Sequence, residues 1–291
     1  MMEQQLKQLK EIVSKVNPEA IQTKRNPKFL CVSSGKGGVG KTNFSINLAY
    51  ILANHFNKKV LLIDADIGVG NVHVILNIPL IKSLKEFFEG KDIKENIIKV
   101  KNFDLIPGFS GIDSISDMEN INLNYLIKRL DEISEEYDYI IIDTAAGIGK
   151  EVINFILPSD KTYIITTPEP TALTDAYSLI KSVFKIYSYS NFKIVINMCK
   201  SEEEGIETFE RLSSSCKRFL NLELNLAGIL PFSENLKKSV ISRTLISESY
   251  KTDSTDSFTK NLIKIAKKET GEDIKRENKE SFFKKLFSFI K

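Results

Sequence analysis

One glycine-rich stretch constrains the fold of this chain more than any other, namely Gly35-Lys36-Gly37-Gly38-Val39-Gly40-Lys41-Thr42. It follows the apolar run Phe29 to Val32 and precedes a helical pattern that begins near Asn43. Glycines let the backbone turn tightly so that N–H groups converge on one anion, and the following helix adds the positive end of its dipole. This order of strand, loop and helix predicts a phosphate-binding loop in which Lys41 supplies a point charge and Thr42 holds Mg²⁺.

A second lysine, Lys36, stands directly after the first glycine of the loop. A mobile cation beside the β- and γ-phosphates stabilises transition-state charge when two protomers close on each other. We therefore expect Lys36 to act across a dimer interface, and an ordinary solvated lysine is the alternative. Lys36 and Lys41 are the two predicted catalytic cations.

Composition limits the class of protein. The 291 residues fit one α/β domain with tails, and a hydrophobic content of 42% is ample for a buried core. The formal net charge of +3, from 41 basic and 38 acidic residues, is too small to predict nucleic acid binding by bulk electrostatics. Three separated cysteines form no CxxC pair, so we expect neither disulfides nor a zinc or iron–sulfur site. Without a signal-peptide core or a run of ~18 apolar residues, the expected location is cytoplasmic.

Two further apolar segments of the sequence each end in an acidic residue. Val60 to Asp64 reads as a buried strand and is followed closely by Asp66, while Tyr139 to Asp143 has four apolar residues before its acid. Open α/β sheets bind ligands at the carboxyl ends of their strands. We expect one of Asp64 and Asp66 to orient the attacking water and the other to support the metal site, with Asp143 holding Mg²⁺ through water. The alternatives are turn or capping roles for the first two and a buried strand-end role for Asp143.

Two later strands supply candidate contacts for a nucleobase. Asn197 stands at the carboxyl end of the strand Phe192 to Ile196, where its amide offers a donor and an acceptor to a purine edge. An Asx turn is the alternative for this residue. The strand Leu224 to Leu230 closes on Pro231 and Phe232, which we expect to form walls of the base site. Alternation of helices and strands predicts a P-loop α/β fold with a mostly parallel sheet covered by helices on both faces.

Amphipathic segments flank the predicted P-loop domain, which we assign to residues 27–266. Residues 1–26 carry Leu6, Leu9, Ile12, Val13 and Val16 at helical spacing. This pattern predicts a helix that either binds a partner or packs on its own domain.

The other end of the chain combines a charged segment with an aromatic one. Ten of the fourteen residues in 267–280 are charged, which predicts a solvated helix end or linker. Residues 281–291 then form an amphipathic helix with lysines opposite its apolar face, and we expect it to bind an anionic membrane surface. A helix packed on the domain is the alternative. The predicted membrane-contacting residues are Phe282, Phe283, Leu286, Phe287, Phe289 and Ile290.

The motifs resemble those of the MinD/ParA class of P-loop ATPases over roughly residues 28–265, with KGGVGKT matching the deviant Walker A motif of that class. Within the class, the phrases DADIGVGNVHVIL, LIPGFSG, IIIDTAAGI and TTPEPTALTDAYSLIK are similar to the FlhG family, also called FleN or YlxH, which regulates flagellar number and placement. MinD itself tends to have a proline in the switch segment after the Walker B acid, and it lacks the sequence PEPTALTDAY.

The resemblance implies roles for individual residues. Lys36 is the signature lysine, Asp66 orients water, Asp143 is the Mg²⁺-linked acid, and Asn197 with Pro231 contacts adenine. It also implies ATP and Mg²⁺ as cofactors, an ATP-dependent homodimer, slow hydrolysis and peripheral attachment to the inner face of the cell membrane through the terminal helix.

The family's partners are a flagellar GTPase of the FlhF type and components of the flagellar switch, or C-ring. Its members carry an N-terminal DQAxxLR-like helix that stimulates the GTPase. Here residues 5–10 match only the second half of that motif, with Lys10 in place of arginine and Gln4 at the acidic position.

Two other functions compete with this interpretation. A MinD-type regulator of the division site would use the same ATPase and membrane helix, and binding to MinC-like partners would distinguish it. A ParA-type DNA segregation protein would bind nucleic acid, which the near-neutral charge and apolar tail disfavour. An iron–sulfur carrier or a reductase similar to the iron protein is least expected, because the chain lacks CxxC.

Overall fold

The computed structural model describes residues 25–66, 72–79, 94, 97–107, 123–249, 256–271 and 282–290. The predicted N-terminal helix lies outside the described residues, and so does most of the predicted linker. Among the described residues, no helix is long and apolar enough to cross a membrane. The three cysteines are free and buried, as expected.

A single sheet forms the centre of the molecule. Its strands share short apolar sequences, and they are β1 (Lys28–Ser34), β2 (Val60–Ala65), β3 (Ile98–Val100), β4 (Phe103–Ile106), β5 (Tyr139–Ala146), β6 (Lys161–Thr166), β7 (Phe192–Cys199) and β8 (Asn225–Pro231). Their spatial order is β3-β4-β2-β5-β1-β6-β7-β8. All neighbouring pairs are parallel except β3 with β4, which confirms the predicted mostly parallel sheet.

Helices connect the strands and cover the sheet. They are α1 (Lys41–His55), α2 (Val72–Ile75), α3 (Leu123–Ser134), α4 (Lys150–Ile156), α5 (Pro170–Tyr187), α6 (Glu202–Leu220), α7 (Glu234–Ile241), α8 (Ser257–Gly271) and α9 (Phe282–Ile290), with a short 3₁₀ turn at Ile246–Ser249. The first five residues of the segment 267–280, which the sequence assigned to a solvated helix end or linker, belong to α8, which continues to Gly271.

Two hydrophobic layers lie on opposite faces of the sheet. One contains buried side chains of α3, α4, α5, α6 and α9, and the other contains those of α1, α2 and α8. Because central strands are buried on both faces, their sequences are apolar without alternation. Leu30 of β1, for example, faces the second layer while Cys31 faces the first.

The terminal helix α9 packs against the domain on α3 and α4. Phe282, Phe283 and Leu286 are only 6%, 4% and 5% exposed, and the ring of Phe282 stacks on Phe29 of β1 at 4.2 Å between centroids. Phe283 meets the same ring edge-on at 5.8 Å. Three of the six predicted membrane-contacting side chains are therefore covered by protein in this state, which is the packed arrangement that the sequence left open as the alternative. The side chains of Phe287, Phe289 and Ile290 lie outside the described residues.

Candidate functional site

The glycine-rich loop joins β1 to α1 and turns through two glycines with positive φ. Gly38 has φ +79° and Gly40 has φ +91°, a region that L-residues with a side chain rarely adopt. Gly40 is also the N-cap of α1, so the loop presents the N-terminal end of a fifteen-residue helix. The backbone thus forms the anion-binding cradle that the sequence predicted, with Lys41 buried at its base.

Two close contacts hold the outer surface of the loop. A Cβ on Gly35 would overlap the backbone of Asp175 and Ala176 in α5, and one on Gly40 would overlap the Asn197 side chain. The Asn197 amide donates to the Val39 carbonyl at 2.8 Å and is 2% exposed. Asn197 therefore helps to fix the loop, a role that the sequence analysis missed.

Asp64 and Asp143 lie side by side at the carboxyl ends of β2 and β5, where they are partners in register. Each is about 1% exposed. Burial, together with the negative charge of Asp143, raises the pKa of Asp64 to about 7. Burial also raises the pKa of Asp143, while the charge of Lys41 and hydrogen bonds from Thr42 and Ser45 oppose that shift. Two buried carboxylates side by side therefore favour the binding of a cation between them.

Hydroxyl groups of α1 complete this arrangement. The Ser45 hydroxyl donates to Asp143 Oδ1 at 2.9 Å, and Thr42 bonds the same carboxylate. Nothing in the motif marks Ser45, which lies one helical turn after Lys41. Oxygen ligands suit Mg²⁺, which binds through one or two carboxylates together with substrate phosphates. The predicted set of Thr42, Asp64 and Asp143 fits this ion, although the described part of the chain brings no three His, Cys, Asp or Glu together as a protein-only metal site.

Asp64 and Asp66 occupy different environments. The Asp64 carboxylate accepts the N–H groups of Asp66 at 3.2 Å and Val72 at 3.3 Å. Asp66 is only partly buried at the end of this strand. Of the two, Asp66 has the more exposed side chain, and its role in orienting water stays a prediction.

Lys36 points away from the cradle and toward the start of α5. Its ammonium group donates to Glu169 Oε1 at 2.9 Å and to the Thr171 hydroxyl at 2.8 Å. The Lys36 hydrogen bond lowers the pKa of Glu169. In this arrangement Lys36 is held by its own chain and does not extend toward the phosphate site.

The segment after Asp143 connects the site to α4. Thr144 donates its hydroxyl to the Val32 carbonyl at 3.2 Å, and the Gly147 N–H donates to Ser34 at 2.8 Å. Gly147 has φ +107°, and the next residue, Ile148, is 51% exposed. Helix α4 begins at Lys150, three residues after Gly147.

A cavity of about 420 Å³ opens beside the loop. It is lined by Gly37, Gly38, Val39, Thr167, Pro168, Glu169, Met198, Lys200 and Glu204. The predicted base contacts lie nearby at the ends of β7 and β8, since Cys199 pairs with Pro231 and the Phe232 N–H donates to the Cys199 carbonyl at 2.9 Å. Phe232 is 54% exposed. Met198 and Lys200, which line the cavity, were missed because they belong to no motif considered in the sequence.

Comparisons with known proteins agree with this geometry. The AAA domain family model matches residues 27–196. The antiactivator FleN of Pseudomonas aeruginosa is 34% identical over 225 residues, which cover 77% of this chain and 80% of FleN. The flagellum site-determining protein YlxH of Helicobacter pylori is 35% identical over 301 aligned positions, covering 99% of this chain and 100% of YlxH. Among solved structures, MinD of Pyrococcus horikoshii complexed with Mg-ADP superposes with a TM-score of 0.66 at 20% identity, covering 84% of this chain and 97% of MinD.

Proposed function

Because this chain belongs to the FlhG (FleN, YlxH) family of MinD/ParA-type P-loop ATPases, we propose that it is an ATP-driven switch that regulates flagellar number and placement. In this proposal ATP drives homodimerisation, the dimer associates with the membrane, and hydrolysis returns the protein to the monomer. The observation that carries the proposal is the convergence of Lys41, Thr42, Asp64 and Asp143 on one loop at the carboxyl edge of the sheet, with Lys36 beside it.

The nucleotide site supports ATP and Mg²⁺ as the cofactors. The N–H groups of the loop and the N-terminus of α1 would bind the phosphates, and Lys41 would neutralise part of their charge. Thr42 and Asp143 would hold Mg²⁺, which shields the phosphate charge when bound, and Asp64 supports the site from the neighbouring strand. Asp66 would accept a hydrogen bond from the attacking water. The related MinD fold of P. horikoshii was solved with Mg-ADP, which supports this assignment.

Dimerisation is supported by what surrounds the site. Lys36 is bound to Glu169 and Thr171, both exposed, so it can leave them at little cost and reach a second protomer. Three large exposed apolar side chains lie at this same edge: Met198 near the end of β7, Ile148 after β5 and Phe232 after β8. Burying such side chains between two protomers would favour closure around ATP.

Membrane association is supported by the amphipathic sequence of α9 and by where this helix lies. Helix α9 rests partly on α4, which begins three residues after Gly147 of the loop that follows Asp143. A change at the nucleotide that moves α4 would weaken the contact and free the aromatic side chains of α9. Two weak helices on one dimer bind a surface far better than one, because the second binds at high effective concentration. The protein would then be cytoplasmic as a monomer and peripheral at the inner membrane face as a dimer.

The partners in this proposal are an FlhF-type GTPase and components of the flagellar switch, or C-ring. The support is the membership in the FlhG family and the partial N-terminal match at residues 5–10. No nucleic acid partner is proposed.

The proposal is tested by light scattering on the Asp66→Ala protein with ATP and with ADP. Loss of the residue that orients water should trap the ATP state, so we expect a dimer with ATP and a monomer with ADP. A monomer in both states would contradict the dimer cycle. Sedimentation with anionic vesicles should then follow the dimer, and it should be lost when the chain is truncated after Glu280.

A further inference from the structure

The exposed face of α8 carries a row of lysines. Lys260, Lys264, Lys267 and Lys268 are all exposed, and we call them the lysine stripe. At ~100° per residue they fall within an arc of roughly 100°, whereas the buried side chains of the helix project from the opposite side. Those buried residues are Phe258, Thr259, Leu262, Ile265, Ala266 and Glu269. The apolar side of α8 is thus buried in the core, and its exposed side is positively charged.

Two carboxylates of the described residues that lie near the stripe in sequence are engaged elsewhere. Asp256 accepts hydrogen bonds from Ser233 at 2.9 Å and Asn235 at 3.2 Å. Glu269 is 1% exposed and pairs with the buried Lys161 at 3.0 Å. The two elements that α8 packs on most closely, α1 and β8, contain no Asp or Glu. Among the described residues, these carboxylates therefore do not neutralise the lysine stripe.

The lysines themselves are available. Lys268 donates to the Ala227 carbonyl at 3.3 Å. Within the part of the chain that the structure describes, the side chains of Lys260, Lys264 and Lys267 form no hydrogen bond or ion pair. Lysines in the last turn of a helix are explained by its dipole, but Lys260 lies in the first turn, where a positive charge is unfavourable. The dipole thus does not account for the whole stripe.

We propose that the lysine stripe is a second membrane-contact surface, which binds the anionic headgroups of the lipids into which α9 inserts. This inference extends the proposed membrane association to a part of the folded domain. Only residues 272–281 separate α8 from α9, a length of chain that spans at most about 35 Å. Once α9 is inserted, the domain is tethered within that distance of the bilayer, where the stripe can face the lipid surface.

Lipid is favoured over nucleic acid by the chemistry of the stripe. All four residues are lysines, which act as point charges at a charged surface, whereas arginine is preferred where phosphates are bound bidentately. The net charge of +3 gives no bulk attraction to nucleic acid. Each lysine near an anionic bilayer contributes about fivefold in affinity. Two lysines together should therefore change vesicle binding by roughly tenfold or more.

The test compares two charge-matched variants of the full chain. Lys260→Gln with Lys264→Gln alters the stripe, and Lys181→Gln with Lys185→Gln removes two exposed lysines at the same spacing from α5. Each is incubated with ATP and sedimented with vesicles of phosphatidylcholine alone or of phosphatidylcholine and phosphatidylglycerol in equal amounts, at low and at high salt. The wild type and a truncation after Glu280 are included, and duplex DNA binding is measured in parallel.

We expect the stripe variant to lose roughly tenfold in affinity for the anionic vesicles at low salt and the α5 variant to match the wild type. The difference should shrink at high salt, because exposed charges are screened. Equal binding by the two variants, or no binding of wild type to anionic vesicles, would overturn the proposal. So would a loss confined to DNA, which would assign the stripe to nucleic acid. Failure of the proposed function is recognised separately, since the truncation would then bind as well as wild type.

Discussion

The nucleotide site and the docking site of α9 lie in one domain but are built in different ways. The first is made by residues close in sequence, from Gly35 to Ser45, and completed by acids at strand ends. The second is made by Phe29, α3 and α4, which meet α9 only in the folded structure. Local chemistry therefore defines the nucleotide site, whereas tertiary packing defines the position of α9. Substitutions should separate the two, since each site depends on different interactions.

The largest effect is expected from Lys41→Ala. Lys41 is buried beside Asp143, and its loss removes a preorganised positive charge from the phosphates, so ATP hydrolysis should fall by about a thousandfold. Steady-state phosphate release measures this, with Lys181→Ala as the matched control on the surface of α5. Without nucleotide, docking of α9 should not depend on Lys41. A nucleotide-free melting curve that loses the contribution of α9 in Lys41→Ala would show that Lys41 supports that docking directly.

The substitution Phe282→Ala perturbs the docking site of α9 instead of the nucleotide site. It removes an aromatic ring that is 6% exposed and stacked on Phe29, so the free energy of unfolding should fall by about 3 kcal/mol. Denaturant titration measures the loss, and Phe219→Ala, at a side chain that is 60% exposed, is the control that should change little. In the proposed function the variant also exposes α9, so its binding to anionic vesicles with ADP should rise. Unchanged stability would show that the helix is not docked in solution.

The same contrast explains how much the sequence could reveal. The loop, the buried strands and the acids of the nucleotide site were predicted because glycine spacing and apolar runs ending in Asp have few other physical explanations. The amphipathic pattern of 281–291 could not distinguish a bilayer from a protein surface, because both accept an apolar face. Its partner, Phe29, lies about 250 residues away in sequence. Ser45 and Asn197 show the same limit at the nucleotide site, since their contacts with Asp143 and Val39 depend on the fold.

Within the loop, two glycines provide a smaller and more local test. Gly35→Ala forces a methyl group against the backbone of α5, whereas an added Cβ on Gly37 meets nothing within 4 Å. Overpacking of this kind costs about 2 kcal/mol, so Gly35→Ala should be destabilised by that amount and should bind nucleotide more weakly. Gly37→Ala is the control for stability and should remain near wild type in denaturant titration. Equal behaviour of the two variants would mean that α5 does not contact the loop as closely as the structure shows.

The smallest effect is expected from Glu169→Gln, which tests whether Lys36 is restrained by its own chain. The pair is solvent-exposed, and such pairs contribute little, so ATP-dependent dimerisation should strengthen by no more than about fivefold. The direction of the change in dimer affinity is the informative result, because Lys36 that is freed from Glu169 becomes available to a second protomer. Analytical ultracentrifugation with ATP at low and high salt measures the change, and Glu207→Gln, which loses a similar exposed pair with Arg211 at 3.7 Å, is the control. Weaker dimerisation in Glu169→Gln would instead assign Glu169 to the closed state, as a residue that orients Lys36 across the interface.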